Sequence, residues 1–354
     1  MKKPLRVQQQ QTTQVHESDL RARWFRIRLE VDPRPNVSPA APQANSDPVF
    51  LVPNRTELGP GIPVKVYAPV GRCIYCGATE FILGTGRKLS EEHIVSEGLG
   101  GVIVLPEASC EACAKTTTKI EGNILRTVLW TPRRHLKIRG KKRKRDERTF
   151  PLTAVVEGKD VPLHLPLNEH PALLFLLRLQ APGILLGRPE EFSGIAGLWM
   201  QELISDSINE MRDRGLPSFA SPSVDTVRFC QMLAKIAHGF AVAELGLDGF
   251  KPLLLEQLIF RELAPKENWC GCYHLVGGDP EDYAPDDALH VMGWGVDQRG
   301  DKHFLVVPLR LFANLGAPVF HVIAGELDQA QLERALALAK PREQPPDRTP
   351  AEPQ

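Results

Sequence analysis

The sequence predicts a mixed α+β fold in which a small module bounded by cysteines precedes a larger α+β unit. Two CxxC pairs, at 73–76 and 110–113, enclose a pattern of strand, turn, strand and helix. Farther along the chain, segments with helical periodicity are followed by short apolar runs that are typical of strands. The length of 354 residues allows two folded units with flexible ends.

The composition excludes several classes of protein. The chain has 43 basic and 43 acidic residues, which argues against a histone-like polycation and against an acidic disordered chain. No run of 18 apolar residues is present, so we expect no membrane partner. The first residues lack the apolar segment of a secretory signal, and seven cysteines are too few and odd in number for a secreted disulfide scaffold. We therefore expect a cytoplasmic protein.

Changes in composition divide the chain into five regions. The first is rich in proline, which interrupts regular elements, although the alternating run at 25–31 predicts one strand. The last is polar and rich in proline. The regions are a weakly ordered extension (1–62), the cysteine module (63–132), a basic linker (133–150), an α+β accessory domain (151–340) and a disordered tail (341–354).

The accessory domain is expected to contain a hairpin, then helices, then strands. The predicted hairpin joins 153–156 to 161–165. Helices are predicted at 170–180, 199–213, 223–245 and 252–263, with a last helix at 328–338 that Asp328 caps. Strands are predicted at 272–276, 288–294, 304–311 and 319–323. His238, within an apolar helix, is predicted to be a hydrogen-bonded residue of the core.

The two CxxC pairs predict a structural Zn²⁺ site. Each pair places two thiolates on one tight turn, and two such turns supply the four sulfurs of a tetrahedral zinc ion. Gly77 directly after the first pair suits the turn of a zinc knuckle. The predicted ligands are Cys73, Cys76, Cys110 and Cys113.

The segment between the pairs contains an acidic residue immediately before a histidine. Glu92 and His93 lie in the segment 89–95, which is apolar at both ends; the glycines at 100–101 then turn the chain, and 102–105 can return as a strand. The segment 114–129 has helical periodicity.

With these motifs in this order, the sequence resembles the HNH endonuclease superfamily, in particular the variants with two zinc knuckles around a Glu-His-Ile core. The matching residues are CIYCG at 73–77, EEHIVSEGLGG at 91–101 and SCEACAKTTTKIE at 109–121. The resemblance implies a ββα-metal finger that cleaves phosphodiester bonds with a single divalent ion, Mg²⁺ or Mn²⁺.

The resemblance also implies roles for individual residues. His93 matches the general base that takes a proton from the attacking water, and Glu92 matches the acidic metal ligand. The family's second ligand is commonly an Asn or His just after the last cysteine, where this chain has Ala114. Glu121, two helical turns beyond Cys113, is the predicted substitute, and Asn123 is a weaker one.

Three functions remain open from the sequence. The first is a metal-dependent endonuclease that hydrolyses DNA, with His93, Glu92 and Glu121 at its catalytic site. The second is a catalytically inactive zinc-knuckle protein that binds nucleic acid, which the alanine at position 114 favours. In the third, the module binds another protein and the basic linker is only a linker.

A basic run follows the cysteine module. Residues 133–148 carry ten basic and two acidic side chains, whereas residues 151–340 carry 15 basic and 25 acidic ones. Such a run can neutralise phosphates, although a solvated linker or a nuclear-localisation-like run has the same composition. The predicted nucleic-acid contacts are Arg133, Arg134, Lys137, Lys141, Lys142, Arg143, Lys144 and Arg145.

Overall fold

The structure of the chain is a computed structural model. It describes residues 55–59, 61–138, 149–187, 194–204, 207–216, 224–256, 258, 274–279 and 283–339, together with the backbone of three short strands at 24–25, 28–30 and 218–220. Within these residues, no helix combines the length and the apolar character needed to cross a bilayer.

The described residues form five α-helices and eighteen strands, most of them short. The strands are β1 (Trp24–Phe25), β2 (Arg28–Glu30), β3 (Thr56–Leu58), β4 (Lys65–Val66), β5 (Ser90–His93), β6 (Ile103–Ser109), β7 (Phe150–Val156), β8 (Lys159–Leu165), β9 (Leu173–Leu179), β10 (Ile195–Glu202), β11 (Ser218–Ala220), β12 (Val224–Asp225), β13 (Lys251–Pro252), β14 (Val276–Gly278), β15 (His290–Met292), β16 (Gly295–Arg299), β17 (Lys302–Leu311) and β18 (Phe320–Leu327). The helices are α1 (Glu111–Arg126), α2 (Trp130–His135), α3 (Ser207–Asp213), α4 (Thr226–Leu245) and α5 (Gln329–Ala339). The mixed α+β class is therefore confirmed.

The cysteine module contains a three-stranded sheet followed by a helix. In this sheet β6 is central, with β4 parallel to it on one side and β5 antiparallel on the other. Helix α1 begins directly after β6, because Cys110 is the last extended residue before Glu111. The predicted order of strand, turn, strand and helix is thus present, with the helix starting three residues earlier than predicted.

The largest sheet has seven strands and unites distant parts of the chain. Its main path runs β13-β18-β17-β15-β3, with β14 pairing with β18 and β16 pairing with β17. Strand β3 precedes the cysteine module in sequence, yet it pairs antiparallel with β15. The segment before the module therefore contributes an edge strand to the sheet of the accessory region.

Helix α4 lies between the cysteine module and the large sheet. Its first turn is stabilised by Asp225, whose carboxylate accepts a hydrogen bond of 3.1 Å from the backbone N–H of Arg228. The helix contacts α1 on one side and β17 and β18 on the other. Residues 229–242 are all buried, as expected for a helix that is apolar on most of its circumference. One hydrophobic core consequently joins the module to the accessory region.

One predicted helix is a strand in the structure, and a second is a strand in its first part. The segment predicted as a helix at 170–180 contains strand β9, and the first part of the one predicted at 199–213 belongs to β10, which pairs antiparallel with β9. Strand β9 is buried on both faces, so its continuous apolar run carries no period that separates strand from helix. Tertiary pairing decided between them. Helix α3 occupies only the last residues of the second segment.

Several other predictions of secondary structure are confirmed. Strands β7 and β8 form the predicted hairpin around Glu157 and Gly158, whose positive φ angles of 49° and 75° suit a tight turn. Helices α4 and α5 begin within one to three residues of their predicted starts. The carboxylate of Asp328 accepts a hydrogen bond of 2.7 Å from the backbone N–H of Gln331, as expected of a helix cap. In the region of the strand predicted at 25–31, the structure describes the short strands β1 and β2, which pair with β12 and β11. Half of the helix predicted at 252–263 lies outside the described residues, and its first residue, Pro252, belongs to β13.

Candidate functional site

The four predicted zinc ligands lie together in the structure. Cys73 and Cys76 come from the turn before β5, while Cys110 and Cys113 come from the start of α1. Their four sulfur atoms all lie within 4.8 Å of one another, and the sulfurs of Cys76 and Cys110 are 3.6 Å apart. Four convergent thiolates are the soft ligand set that zinc prefers. The cluster could therefore hold a metal ion such as Zn²⁺.

The backbone of the first pair has the form of a tight knuckle. The N–H of Gly77 donates to the carbonyl of Cys73 at 2.8 Å, and the N–H of Cys73 donates to the carbonyl of Ala78 at 2.7 Å. Gly77 has a φ angle of 78°, which a residue without a side chain adopts at little cost. These bonds orient both sulfurs of the pair towards α1.

Proton sharing among the sulfurs perturbs their titration. A hydrogen bond from the Cys113 thiol lowers the pKa of Cys73 to about 4. Burial raises the pKa of Cys76 to about 11. Because a bound zinc ion would replace such shared protons, metal binding at this cluster is expected to release protons.

Glu92 and His93 project into different environments from β5. The pairing of β5 with β6 is irregular between Ser90 and Glu92, but the two neighbouring side chains still diverge. The Glu92 side chain is buried. The His93 side chain is 21% exposed, and its Nε2 lies 3.3 Å from a carboxylate oxygen of Glu91 and 3.6 Å from one of Glu97.

Glu92 and Glu121 converge on the ammonium group of Lys235. The Nζ atom of Lys235 lies 2.8 Å from Oε1 of Glu92 and 2.9 Å from Oε1 of Glu121. We refer to these three residues as the carboxylate–lysine cluster. The Lys235 side chain is only 1% exposed, so water contributes little to its solvation. Its neutralisation therefore depends on the two carboxylates.

The charges within the carboxylate–lysine cluster shift one another's titration. Burial lowers the pKa of Lys235, but the charges of Glu121 and Glu92 outweigh this effect and leave the pKa above its ordinary value. Burial raises the pKa of Glu121, and so does the charge of Glu92, while Lys235 acts in the opposite direction. The lysine is consequently an ammonium ion at neutral pH, despite its burial.

Two aromatic side chains lie close to the carboxylate–lysine cluster. Tyr75 is fully buried, and burial together with the nearby charges of Glu92 and Glu121 raises the pKa of its hydroxyl well above the usual range. Its ring lies 5.7 Å from the imidazole of His238. His238 is itself buried, with Nε2 2.8 Å from the carbonyl of Ile74, which confirms it as a hydrogen-bonded core residue.

The other candidate ligands do not join the carboxylate–lysine cluster. Ala114 has no ligand atom, and the Oδ1 atom of Asn123 is buried without a hydrogen-bond partner among the described residues. The two carboxylates predicted to hold Mg²⁺ or Mn²⁺ are instead held by an ammonium ion. The residues present therefore do not fit a divalent ion while Lys235 occupies this position.

The basic run is described only at its start. The guanidinium of Arg133 donates to the carbonyl of Leu125 at 3.2 Å, near the C-terminal end of α1, and burial lowers its pKa. This arginine therefore contacts the module itself, whereas Lys137 is exposed and Arg134 is partly exposed. The other predicted contacts, Lys141, Lys142, Arg143, Lys144 and Arg145, lie outside the described residues.

Lys235 was absent from the residues that the sequence singled out. Its position still carries a signal, because it is the one Lys, Arg, Asp or Glu in the stretch 229–243. A charged residue is almost never fully buried unless it is paired. A lysine inside an apolar helix thus indicates a buried acidic partner, although the sequence does not identify that partner.

Comparisons of the chain with models of protein families, with curated proteins and with solved structures found no significant match.

Proposed function

We propose that the chain is a nucleic-acid-binding protein built on a zinc-stapled ββα module that does not hydrolyse its ligand. The observation that carries this proposal is the position of Lys235 between Glu92 and Glu121. In the family that the sequence resembles, the residues matching Glu92 and its partner hold the divalent ion. An ammonium group between them leaves a module with the family's order of elements but without room for that ion.

Electrostatic repulsion supports the absence of a divalent ion beside Lys235. A divalent cation ~4 Å from an ammonium group is repelled by roughly 8 kcal/mol at an effective dielectric constant of ~20. Each carboxylate already has a partner at 2.8–2.9 Å, so binding the ion would also require breaking two buried ion pairs. Breaking one such pair typically costs about 3–5 kcal/mol.

The distribution of charge supports a polyanionic ligand. The ten basic residues within 133–148 follow the cysteine module directly, whereas the region 151–340 has an excess of acidic residues. A concentrated run of this kind binds phosphates by releasing counterions, without a requirement for base sequence. DNA is the ligand that the resemblance to the HNH superfamily favours.

The first prediction concerns salt dependence. Binding of a fluorescent DNA duplex should weaken steeply as NaCl increases, because each neutralised phosphate contributes about −0.9 to the slope of log K against log salt. Replacing Lys141, Lys142, Arg143, Lys144 and Arg145 by glutamine should reduce affinity at least tenfold at low salt and flatten the slope. Replacing Lys159, Lys251 and Lys302, which lie in the accessory region, by glutamine serves as the control and should have little effect. Absence of DNA binding by the wild type even at low salt would overturn the proposal and support the reading in which the module binds another protein.

A metal-dependent endonuclease is the second candidate function. It is favoured by His93, whose imidazole is partly exposed and lies beside Glu91 and Glu97. Two carboxylates near one ring nitrogen can orient an imidazole for proton transfer.

Supercoiled plasmid with Mg²⁺ or Mn²⁺ separates the two candidates. The proposed function predicts equally little nicking by the wild type and by His93→Ala. Nicking by the wild type that falls at least a hundredfold in His93→Ala would establish the endonuclease instead, since general bases typically contribute factors of about 10²–10⁴.

A further inference from the structure

Four oxygen atoms surround the ammonium group of Lys235. Two belong to the carboxylates of Glu92 and Glu121, at 2.8 and 2.9 Å. The other two are backbone carbonyl oxygens of His93 and Ile94, the second at 3.2 Å. All of them come from the cysteine module, whereas the lysine comes from α4. Carboxylate and carbonyl oxygens are the atoms with which proteins bind hard cations.

We propose that these four oxygens form a hard-cation site and that the Nζ atom of Lys235 is its built-in cation. The ammonium neutralises the two buried carboxylates and donates to the carbonyls, so the module needs no divalent ion for this purpose. The proposal deepens the proposed function and rests on it for its biological meaning, since it names the group that keeps the module free of a hydrolytic ion.

The surroundings of Lys235 keep the ammonium in place. Three residues farther along α4, His238 is bonded to the carbonyl of Ile74 at 2.8 Å. Near the end of the helix, Glu244 forms an ion pair of 3.2 Å with Lys65 and accepts a hydrogen bond from the hydroxyl of Tyr67. Helix α4 is thus attached to the module at three separate points. The ammonium group of Lys235 can leave the site only if these attachments break or its own side chain adopts another rotamer.

Gly239 lies where α4 packs against the segment that follows β5. It lies one helical turn beyond Lys235, and a Cβ atom at this position would lie 3.5 Å from the Ile94 side chain. This distance is an ordinary van der Waals contact, so α4 packs directly against Ile94, two residues beyond Glu92. This proximity lets the lysine reach both carboxylates and both carbonyls.

The experiment compares Lys235→Ala with Lys235→Met. Both variants remove the charge, but alanine leaves space among the oxygens while methionine fills it. Each protein is prepared with its zinc content measured and is then titrated with Mn²⁺, with free Mn²⁺ followed by electron paramagnetic resonance. We expect Lys235→Ala to bind one Mn²⁺ per chain at least tenfold more tightly than the wild type, and to gain thermal stability from it. Lys235→Met should bind no such ion.

A second set of variants identifies the ligands. Adding Glu92→Gln and Glu121→Gln to Lys235→Ala should abolish the tight Mn²⁺ site. The single variant Glu92→Gln, which keeps Lys235, should bind Mn²⁺ no differently from the wild type. This comparison can be made even if Lys235→Ala fails to fold. The proposal is overturned if the wild type holds an Mn²⁺ ion that Glu92→Gln removes. It is also overturned if folded Lys235→Ala binds Mn²⁺ no better than the wild type does. Neither measurement involves nucleic acid, so failure of the proposed function would be seen separately in the DNA-binding experiment.

Discussion

At the scale of single residues, Glu92 and His93 are adjacent in sequence but make different contacts. Glu92 is buried and pairs with Lys235, whereas His93 reaches towards solvent and the carboxylates of Glu91 and Glu97. The alternation of side chains along a strand separates them, and the irregular pairing before Glu92 does not bring them to one face. A shared contact with one phosphate would therefore require local rearrangement of β5.

His290 is a second buried residue that joins separate parts of the chain. It lies on β15, with Nε2 2.6 Å from the carbonyl of Leu99 in the cysteine module, while Nδ1 accepts a hydrogen bond of 3.0 Å from the N–H of Phe312. One nitrogen must donate and the other accept, so the ring is neutral in the folded protein. Burial lowers the pKa of His290 to about 4.

Stability should consequently depend on pH through His290. The unfolded imidazole titrates near ~6.5, so the stabilisation is complete above that pH and is lost as the pH falls from ~6.5 towards 4. Between pH 7.5 and 5.0 the loss from this residue should reach about 2 kcal/mol. Urea unfolding at the two pH values would measure it, and His290→Gln should lose correspondingly less. Equal losses in both proteins would contradict the role assigned to His290, because the other buried histidines are common to both.

At the scale of elements, the cysteine cluster brings together the knuckle before β5 and the start of α1. Cys73 and Cys76 lie on the first of these segments, and Cys110 and Cys113 lie on the second. The sheet of this module has three strands, one of which is only two residues long. A metal ion that holds the segments together would add stability that so small a sheet lacks.

We predict that removal of one sulfur ligand abolishes stoichiometric zinc binding. Cys113→Ala should reduce zinc from one ion per chain to well below one and should lower the thermal midpoint, because binding free energy is coupled to folding. Cys230→Ala is the matched control, since Cys230 is also a buried cysteine but lies on α4 and is not one of the four clustered sulfurs. Elemental analysis combined with a thermal melt would test the prediction. Equal zinc contents in the two variants would show that the cluster is not the zinc site.

At the scale of the whole molecule, the cysteine module and the accessory region form one hydrophobic core. Helix α4 contacts both α1 and the large sheet. Strand β3, which precedes the cysteine module in sequence, is an edge strand of that sheet. The carboxylate–lysine cluster and the bond from His290 to Leu99 are polar connections across the same boundary. The accessory region therefore contributes a buried ammonium group and a hydrogen bond to the cysteine module.

The net charge of zero conceals two oppositely charged regions. The basic run 133–148 and the acidic excess of 151–340 nearly cancel, and the remaining segments supply the last two positive charges. Long-range electrostatics should orient a polyanion towards the basic run and away from the accessory region. Binding that is steered in this way becomes slower and weaker as salt screens the charges.

The sequence alone was sufficient where the governing interactions are local. The spacing of the four cysteines, the order of β5, β6 and α1, the hairpin of β7 and β8, and the cap of α5 all follow from short-range patterns. The same patterns could not separate helix from strand at β9. A continuous apolar run shows neither the periodicity of a helix nor the alternation of a strand. Only the pairing of β9 with β10 shows that this segment is a strand.

Only the tertiary structure decided what occupies the position between Glu92 and Glu121. Glu92 was predicted from the family resemblance and Glu121 from its spacing beyond Cys113, but Lys235 is more than a hundred residues away from either. Burying two carboxylates demands a cation, and the sequence does not specify whether a metal ion or a distant side chain supplies it. The packing of α4 against the module answers that question, because it brings the ammonium group within 2.9 Å of both.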